Sequence, residues 1–443
     1  MENFNHHPSE WRNYQRRLKN KALKKRVLGK ALYLSLYSGG AFLILFIMFF
    51  GVSWVSGLVS QASFGSFGIG KRPIHFVKEL SREDLPVALH CLKFDINRLD
   101  DHFILDPGGA DLSIESTINP SLQDYISHFL KRTRTLQAAV VVLNPTDGRI
   151  LAMANYNKEG NPDNICLKAE FPAASLFKIV SAAAAFETAG FTPNRKVFFN
   201  GKKHTLYKKQ LDQKNGRYTE KISFRKAFAF SINPVFGKLG IDNLGRGVLN
   251  DYAGRFYFNR PIPFDLPVEM STINIPEGNF GLAEIASGFN KQTLISPLHV
   301  SLLASVAANE GVLMKPWFVK QITNKSGHVI YRGSPVKMIS PVTCGTAKGL
   351  KVLMRDTVRY GTCRKRFSSL FRKKAFKDID LGAKTGTIND SKDRFKYDWF
   401  TAFVIPEHGD KAFCIAILGI HGEKLGIRSS EIGMYIIRHY FLS

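Results

Sequence analysis

Acidic side chains are scarce in this 443-residue chain: 36 Asp and Glu stand against 62 Lys and Arg, a formal net charge of +26. Such an excess calls for anionic surroundings, and nucleic acid, lipid headgroups and acidic polymers all qualify. Cysteine is also sparse. The five residues, Cys91, Cys166, Cys344, Cys363 and Cys414, show no paired short spacing, so the sequence predicts neither a disulfide framework nor a thiolate metal site. An odd count leaves at least one free thiol. There is no His-Glu-x-x-His, no phosphate loop and no dinucleotide fingerprint, which excludes the usual signs of a metal or nucleotide cofactor. No internal repeat or low-complexity tract interrupts the chain. The last absence is local: from Ala31 to Gly70 there is no charged residue at all.

That uncharged stretch follows a basic one. Residues 1–30 hold nine Lys and Arg against Glu2 and Glu10, a net of +7. Residues 31–58, with Phe42-Leu-Ile-Leu-Phe-Ile-Met-Phe-Phe50 at their centre, exceed the roughly 20 apolar residues a bilayer span needs. The basic flank predicts a cytoplasmic tail, a single transmembrane helix and a body outside the membrane. A cleaved signal peptide ending at Ser60-Gln-Ala62 is the competing reading, with an unusually long apolar core. An outward body removes nucleic acid as a partner. Lipid headgroups and acidic polymers then remain for the basic surface, beside the plainer reading that it is simply solvated.

Three short strings carry chemistry: Ser175-Leu-Phe-Lys178, Ser231-Ile-Asn233 and Lys384-Thr-Gly-Thr387. Ser-x-x-Lys alone proves little, since Ser223-Phe-Arg-Lys226 and Ser334-Pro-Val-Lys337 fit it too. Context separates the first. Pro172 leads into Ser175, and the following Ile179-Val-Ser-Ala-Ala-Ala-Ala-Phe-Glu-Thr-Ala-Gly190 is rich in helix formers and ends on a glycine. Ser175 therefore sits at a helix start, with Lys178 on the same face. Unpaired N–H groups and the helix dipole there favour a developing negative charge. Each string also has a bland reading. Ser175 can be an ordinary helix-start serine, Ser231 and Asn233 before Pro234 are common loop or cap residues, and Gly386 can mark a bulge in a strand.

Taken together and in this order, the strings resemble those of the penicillin-binding transpeptidases and the related serine β-lactamases. The likeness extends to Gln137-Ala-Ala-Val-Val-Val-Leu-Asn-Pro-Thr-Asp-Gly-Arg-Ile-Leu-Ala-Met-Ala154, to Leu294-Ile-Ser-Pro-Leu-His-Val300 with Ala308-Asn-Glu-Gly-Val-Leu-Met-Lys-Pro316, to Gly361-Thr362 and to Trp399-Phe-Thr-Ala-Phe403, and so covers roughly residues 110–443. The resemblance implies that Ser175 attacks the carbonyl between two D-alanines of a peptidoglycan stem peptide. It makes Lys178 the base, provided desolvation and the neighbouring Lys384 lower its pKa. Ser231 would relay the proton and Asn233 would hydrogen-bond the substrate backbone. Lys384, Thr385 and Thr387, with Gly386 between them, would hold the terminal carboxylate, and the N–H groups of Ser175 and Thr387 would form the oxyanion hole. Penicillin and other β-lactams would acylate the same serine. The implied partners are stem peptides, the cytoplasmic membrane and a glycosyltransferase working on lipid-linked precursor; no cofactor or metal is implied.

The expected fold is α+β, an antiparallel sheet with helices on both faces. Strands are predicted at 138–143, 149–154, 381–388, 399–405 and 411–420, the last three antiparallel neighbours. Helices are predicted at 120–132, 175–189, 296–309, 345–359 and 431–441. The resulting organisation is a basic tail (1–30), a transmembrane helix (31–58), a linker and short juxtamembrane region (59–110) and a transpeptidase domain (111–443). Residues 71–110 are too few for a glycosyltransferase domain or for the pedestal usual in monofunctional class B members, and Ala383 replaces an expected glycine. Hydrolysis in place of crosslinking, as a D,D-carboxypeptidase or β-lactamase, is one alternative; a non-catalytic wall-binding scaffold is another.

Overall fold

The structure, a computed structural model, describes residues 80–442 apart from 84, 91–95, 106–110, 161–163, 213–215, 391 and 408–410. The basic tail, the expected transmembrane span and most of the expected linker lie outside the described residues. Among the described residues no helix is long and apolar enough to cross a membrane.

Five strands form the central sheet: β1 (Gln137–Leu143), β2 (Ile150–Asn157), β3 (Ile379–Asn389), β4 (Lys396–Pro406) and β5 (Phe413–His421). Their spatial order is β3-β4-β5-β1-β2, antiparallel throughout. The helices used below are α1 (Pro120–Leu130), α2 (Lys178–Thr188), α3 (Asn233–Leu239), α4 (Asn279–Ser287), α5 (Pro297–Ala308), α6 (Cys344–Arg359) and α7 (Ser429–Leu442).

β1 reads Gln-Ala-Ala-Val-Val-Val-Leu without the alternation of a half-solvated strand, because both faces of the sheet are covered. Ala139, Val141 and Leu143 join one core with residues of α2 and α5, whereas Ala138, Val140 and Val142 join another with residues of α1 and α7. α5 is buried along its whole length, as expected of a helix apolar all round. α1 starts as its sequence dictates: the Asn119 side chain accepts from the Leu122 N–H at 3.0 Å, and Pro120 takes the first turn.

Two features depart from the expectation. The helix predicted over 175–189 begins as a 3₁₀ turn, Ala174–Phe177, and becomes α-helical only at Lys178. A second sheet had no clear sequence signal. His102–Leu105, Leu112–Ser116, Val319–Thr323 and Val329–Arg332 pair antiparallel in that order, drawing residues of the 59–110 stretch into the folded body. Cys166, Cys344, Cys363 and Cys414 are all free thiols, three of them buried.

Candidate active site

The site lies where the rim of the central sheet meets the start of α2. β3 is the outermost strand, and Gly386 faces the serine turn: a Cβ there would stand 3.2 Å from the Ala174 Cβ and 3.4 Å from the Ser175 nitrogen. Absence of a side chain is what lets strand and turn come together. The turn is fixed from three sides. Trp399 Nε1 donates to the Pro172 carbonyl at 2.8 Å, and the Ala173 N–H donates to the Thr293 carbonyl at 2.8 Å. Gly288, at φ +65°, presses on Ala174 so closely that a Cβ would fall 1.9 Å from its carbonyl oxygen. Ala174 (φ +50°) and Ser231 (φ +53°) both occupy the left-handed region, which costs a non-glycine residue about 1–3 kcal/mol and tends to gather at functional sites.

Lys178 is fully buried, and among the described residues no carboxylate pairs with it. Its Nζ lies 2.8 Å from Ser175 Oγ and 2.7 Å from Asn233 Oδ1, and it also reaches the Ser287 carbonyl at the end of α4. Burial, and secondarily the charge of Lys384, push its pKa well below the ordinary lysine value. The three partners decide what deprotonation does. The Asn233 and Ser287 oxygens can only accept, so a neutral amine spends its two hydrogens on them and turns its lone pair to the Ser175 hydroxyl. That is the orientation a base needs to take the serine proton.

Lys384 is equally buried. Its Nζ donates to Ser231 Oγ at 3.0 Å and to the Thr385 carbonyl at 2.7 Å, and burial lowers its pKa to about 7. A phenylalanine ring lies near each amine: Phe236 with its centroid 5.5 Å from Lys178 Nζ, Phe228 at the same distance from Lys384 Nζ. Ser231 thus stands beside one lysine, and Asn233 beside the other. The Asn233 amide also donates to the His204 carbonyl at 3.0 Å, so both ends of the group expected to meet substrate already have protein partners.

All eight residues singled out from the sequence converge here. Ser175, Ser231, Asn233, Thr385 and Thr387 line a cavity of about 310 Å³, with Lys178, Lys384 and Gly386 packed around it. The structure adds residues that the motifs did not announce. Thr362 Oγ1 lies 2.8 Å from Thr385 Oγ1. Arg428 donates to Thr387 Oγ1 at 3.0 Å and pairs with Asp398 at 2.6 Å, and Thr387 in turn donates to Asp398 at 3.1 Å. The other Asp398 oxygen accepts from the Ser429 N–H at the start of α7. Phe289, Arg366 and His204 complete the wall; burial and the surrounding lysines hold the His204 imidazole below its usual pKa. One signal for Asp398 was available. It is a lone acid in a strand that continues as Trp-Phe-Thr-Ala-Phe-Val-Ile, directly opposite Thr387 in register.

Comparison with known proteins agrees with this geometry. Residues 138–431 match the profile of the penicillin binding protein transpeptidase domain. The chain is 26% identical over 391 residues to the peptidoglycan D,D-transpeptidase PbpA of Mycobacterium tuberculosis, covering 77% of this chain and 74% of that protein. It is 23% identical over 383 residues to the PbpA of Mycolicibacterium smegmatis, with the same coverages. The crystal structure of PBPA from M. tuberculosis superposes with a TM-score of 0.59 at 23% identity, over 74% of this chain and 80% of that one. Penicillin-binding protein 3 of the same organism, complexed with aztreonam, gives 0.60 at 17% identity, over 74% and 78%. With the match spanning the serine turn, the second motif and the rim strand alike, the chain belongs to the penicillin-binding protein transpeptidase family.

Proposed function

We propose that the protein is a membrane-anchored peptidoglycan D,D-transpeptidase that works through a Ser175 acyl-enzyme and is acylated by penicillin. The observation that carries this reading is the buried Lys178 amine 2.8 Å from Ser175 Oγ, held by two groups that can only accept. In the forward half-reaction Lys178 takes the Ser175 proton as Oγ bonds to the substrate carbonyl. Ser231 gives its proton to the departing D-alanine nitrogen and is reprotonated by Lys384 Nζ, 3.0 Å away. When the acceptor amine attacks, its proton returns by the same path to Lys384, and Lys178 gives its proton back to Ser175 Oγ. The N–H groups of Ser175 and Thr387 receive the oxyanion. An amine from a neighbouring strand then displaces Ser175 and the crosslink is made. Thr385, Thr387 and Arg428 hold the terminal carboxylate, with Lys384 as a charge behind them. Related proteins support the reading: PbpA of M. tuberculosis is named a peptidoglycan D,D-transpeptidase, and its acyl-enzyme complexes with penicillin G and imipenem have been solved.

Hydrolysis is disfavoured by what the wall contains. Among the described residues Asp398 is the only carboxylate lining the cavity, and it is occupied by Arg428, Thr387 and the Ser429 N–H. Among the described residues no free carboxylate lines the cavity to activate a water, which argues against the glutamate-assisted deacylation of class A β-lactamases. The uncharged 31–58 stretch behind a +7 tail supports a single-pass anchor in the cytoplasmic membrane with the amino terminus inside. Strands made from lipid-linked precursor by a glycosyltransferase would then reach the domain from the membrane face.

Membranes holding the full chain should take a stable fluorescent penicillin label, and Ser175→Ala should take none. Absence of label on the wild type, or equal label on the variant, would falsify the nucleophile; release of the label within minutes would point to a hydrolase. Arg428→Ala removes a charged hydrogen bond of about 1.5–3 kcal/mol. Second-order labelling should therefore slow by about 10–100-fold, and an unchanged rate would remove Arg428 from the carboxylate site.

A further inference from the structure

Between the first and second motifs the chain builds a small basic module. Lys196–Phe199 and Glu220–Ser223 pair as an antiparallel hairpin, with a loop and a short helix, Lys208–Asp212, between them. Residues 195–226 contain eleven Lys and Arg against two acids, Asp212 and Glu220. Of the described cations among them only Arg225 has a carboxylate within ion-pair distance, on Asp356. Aromatic rings stand where counter-charges are missing: Lys221 lies 5.8 Å from the Phe198 ring, Lys208 6.0 Å from Phe280, Lys203 5.0 Å from Phe230 and Arg195 4.1 Å from Phe191. A ring face steadies a cation without neutralising it. Concentrated like charge of this kind repels itself, and it draws anions from solution.

The module is clipped to the catalytic cavity. The Asn233 N–H donates to the Lys203 carbonyl at 2.7 Å and the Asn233 amide to the His204 carbonyl, and His204 itself lines the cavity. Lys196, Lys202, Lys208, Lys209, Arg217 and Lys221 are exposed beyond it. They are spread over two strands, a loop and a helix instead of converging on a point, which suits charges repeated along a polymer better than one small ion. Tyr218, 82% exposed, and Tyr207, 64% exposed, stand among them and offer flat apolar faces of the sort that pack on sugar rings.

We propose that this face is a docking strip for an uncrosslinked glycan strand, whose stem-peptide carboxylates meet the lysines while its sugars rest on the tyrosines, so that the strand is held beside Ser175. The proposal rests on the wall-crosslinking reading above and assigns that reaction a second point of substrate contact.

The test uses the full chain and a variant with Lys202, Lys208, Lys209 and Lys221 all changed to Glu, with the same four changed to Gln as a milder companion. Binding is measured by co-sedimentation with isolated uncrosslinked strands, with the same strands after their peptides are cut away, and with vesicles of anionic phospholipid. The wild type should bind peptide-bearing strands and lose them as ionic strength rises from about 0.05 to 0.5 M, where screening shortens to a few ångströms. The Glu variant should bind them roughly tenfold or more weakly, the Gln variant in between, if each cation near an anionic surface contributes at its usual scale. Penicillin labelling, which needs only the cavity, reports that both variants are folded and should stay near the wild-type rate. The strip is overturned if the Glu variant binds strands like the wild type, if stripped strands bind as well as peptide-bearing ones, or if the loss is confined to vesicles, which would make the face a membrane contact. Failure of the function reading looks different: the wild type then takes no penicillin label, whatever it does with strands.

Discussion

Replacing Lys178 with methionine should slow penicillin acylation by about 10²–10⁴-fold, the usual contribution of a positioned base, while making the protein relatively more stable as pH falls. The two effects share one cause. A lysine that is fully buried without a carboxylate holds its proton less firmly when folded than the ~10.4 of an exposed chain. Between the lowered folded pKa and ~10.4 the unfolded state carries one proton more than the native state. Wild-type stability therefore rises with pH across that window, by about 1.4 kcal/mol per unit. Below the folded pKa both states are protonated and the slope vanishes. The variant lacks this term, so the difference in melting temperature, variant minus wild type, should be most positive below the folded pKa and shrink as pH rises towards ~10. Lys384, whose folded pKa is about 7, titrates in both proteins, so its own burial cost cancels in the comparison and only its coupling to Lys178 remains. Parallel stability curves, or a variant labelled as fast as wild type, would sink the assignment of Lys178.

The second large effect is expected at a residue outside every motif. Gly288→Ala puts a Cβ 1.9 Å from the Ala174 carbonyl oxygen, 2.5 Å from its carbon and 3.1 Å from the Ser175 Cα, at a φ of +65°. Each contact is with backbone, so no side chain can swing aside. The left-handed conformation costs an alanine about 1–2 kcal/mol and overpacking about 1–3 kcal/mol more, a total of roughly 2–5 kcal/mol. Activity should fall further than stability, because the group that must move carries the nucleophile, and the neighbouring Ser287 carbonyl is a partner of Lys178. Thermal melting followed by labelling well below the new midpoint separates the two. A folded variant acylated at the wild-type rate would show that the turn does not depend on Gly288.

Much of this architecture could be read before any coordinates. The strands of the central sheet were visible as apolar runs with the right spacing, and the helices on both faces were implied by the family resemblance. Ser175 with Lys178, Ser231 with Asn233, and Lys384 to Thr387 were legible as short fixed spacings of residue types that acyl transfer can use. What could not be read depends on distance in sequence. Asp398 stood out as a lone acid in an apolar strand, but its meeting with Thr387 and Arg428 depends on strand register and the start of α7, which no local pattern encodes. The left-handed backbones of Ala174 and Ser231 leave no compositional trace either, since neither residue is a glycine. His102–Leu105 is only four residues long, half-buried to exposed, and gains its strand character from Leu112–Ser116 beside it. The break of the predicted 175–189 helix into a 3₁₀ turn and α2 follows from tertiary contacts at Pro172, Ala173 and Gly288, where local propensity would have continued the helix.

The outermost position of β3 carries one more consequence. A rim strand keeps one line of N–H and C=O groups open to an extended guest, which is then recognised through its main chain and with little regard for its side chains. Selectivity must come from what closes the lane. At the Thr387 end it is closed by the guanidinium of Arg428, pinned by Asp398; a polypeptide continuing past that point would have to bury an ion pair, whereas a chain that stops there brings a carboxylate to meet it. An enzyme built in this way works on the ends of chains and leaves their interiors alone.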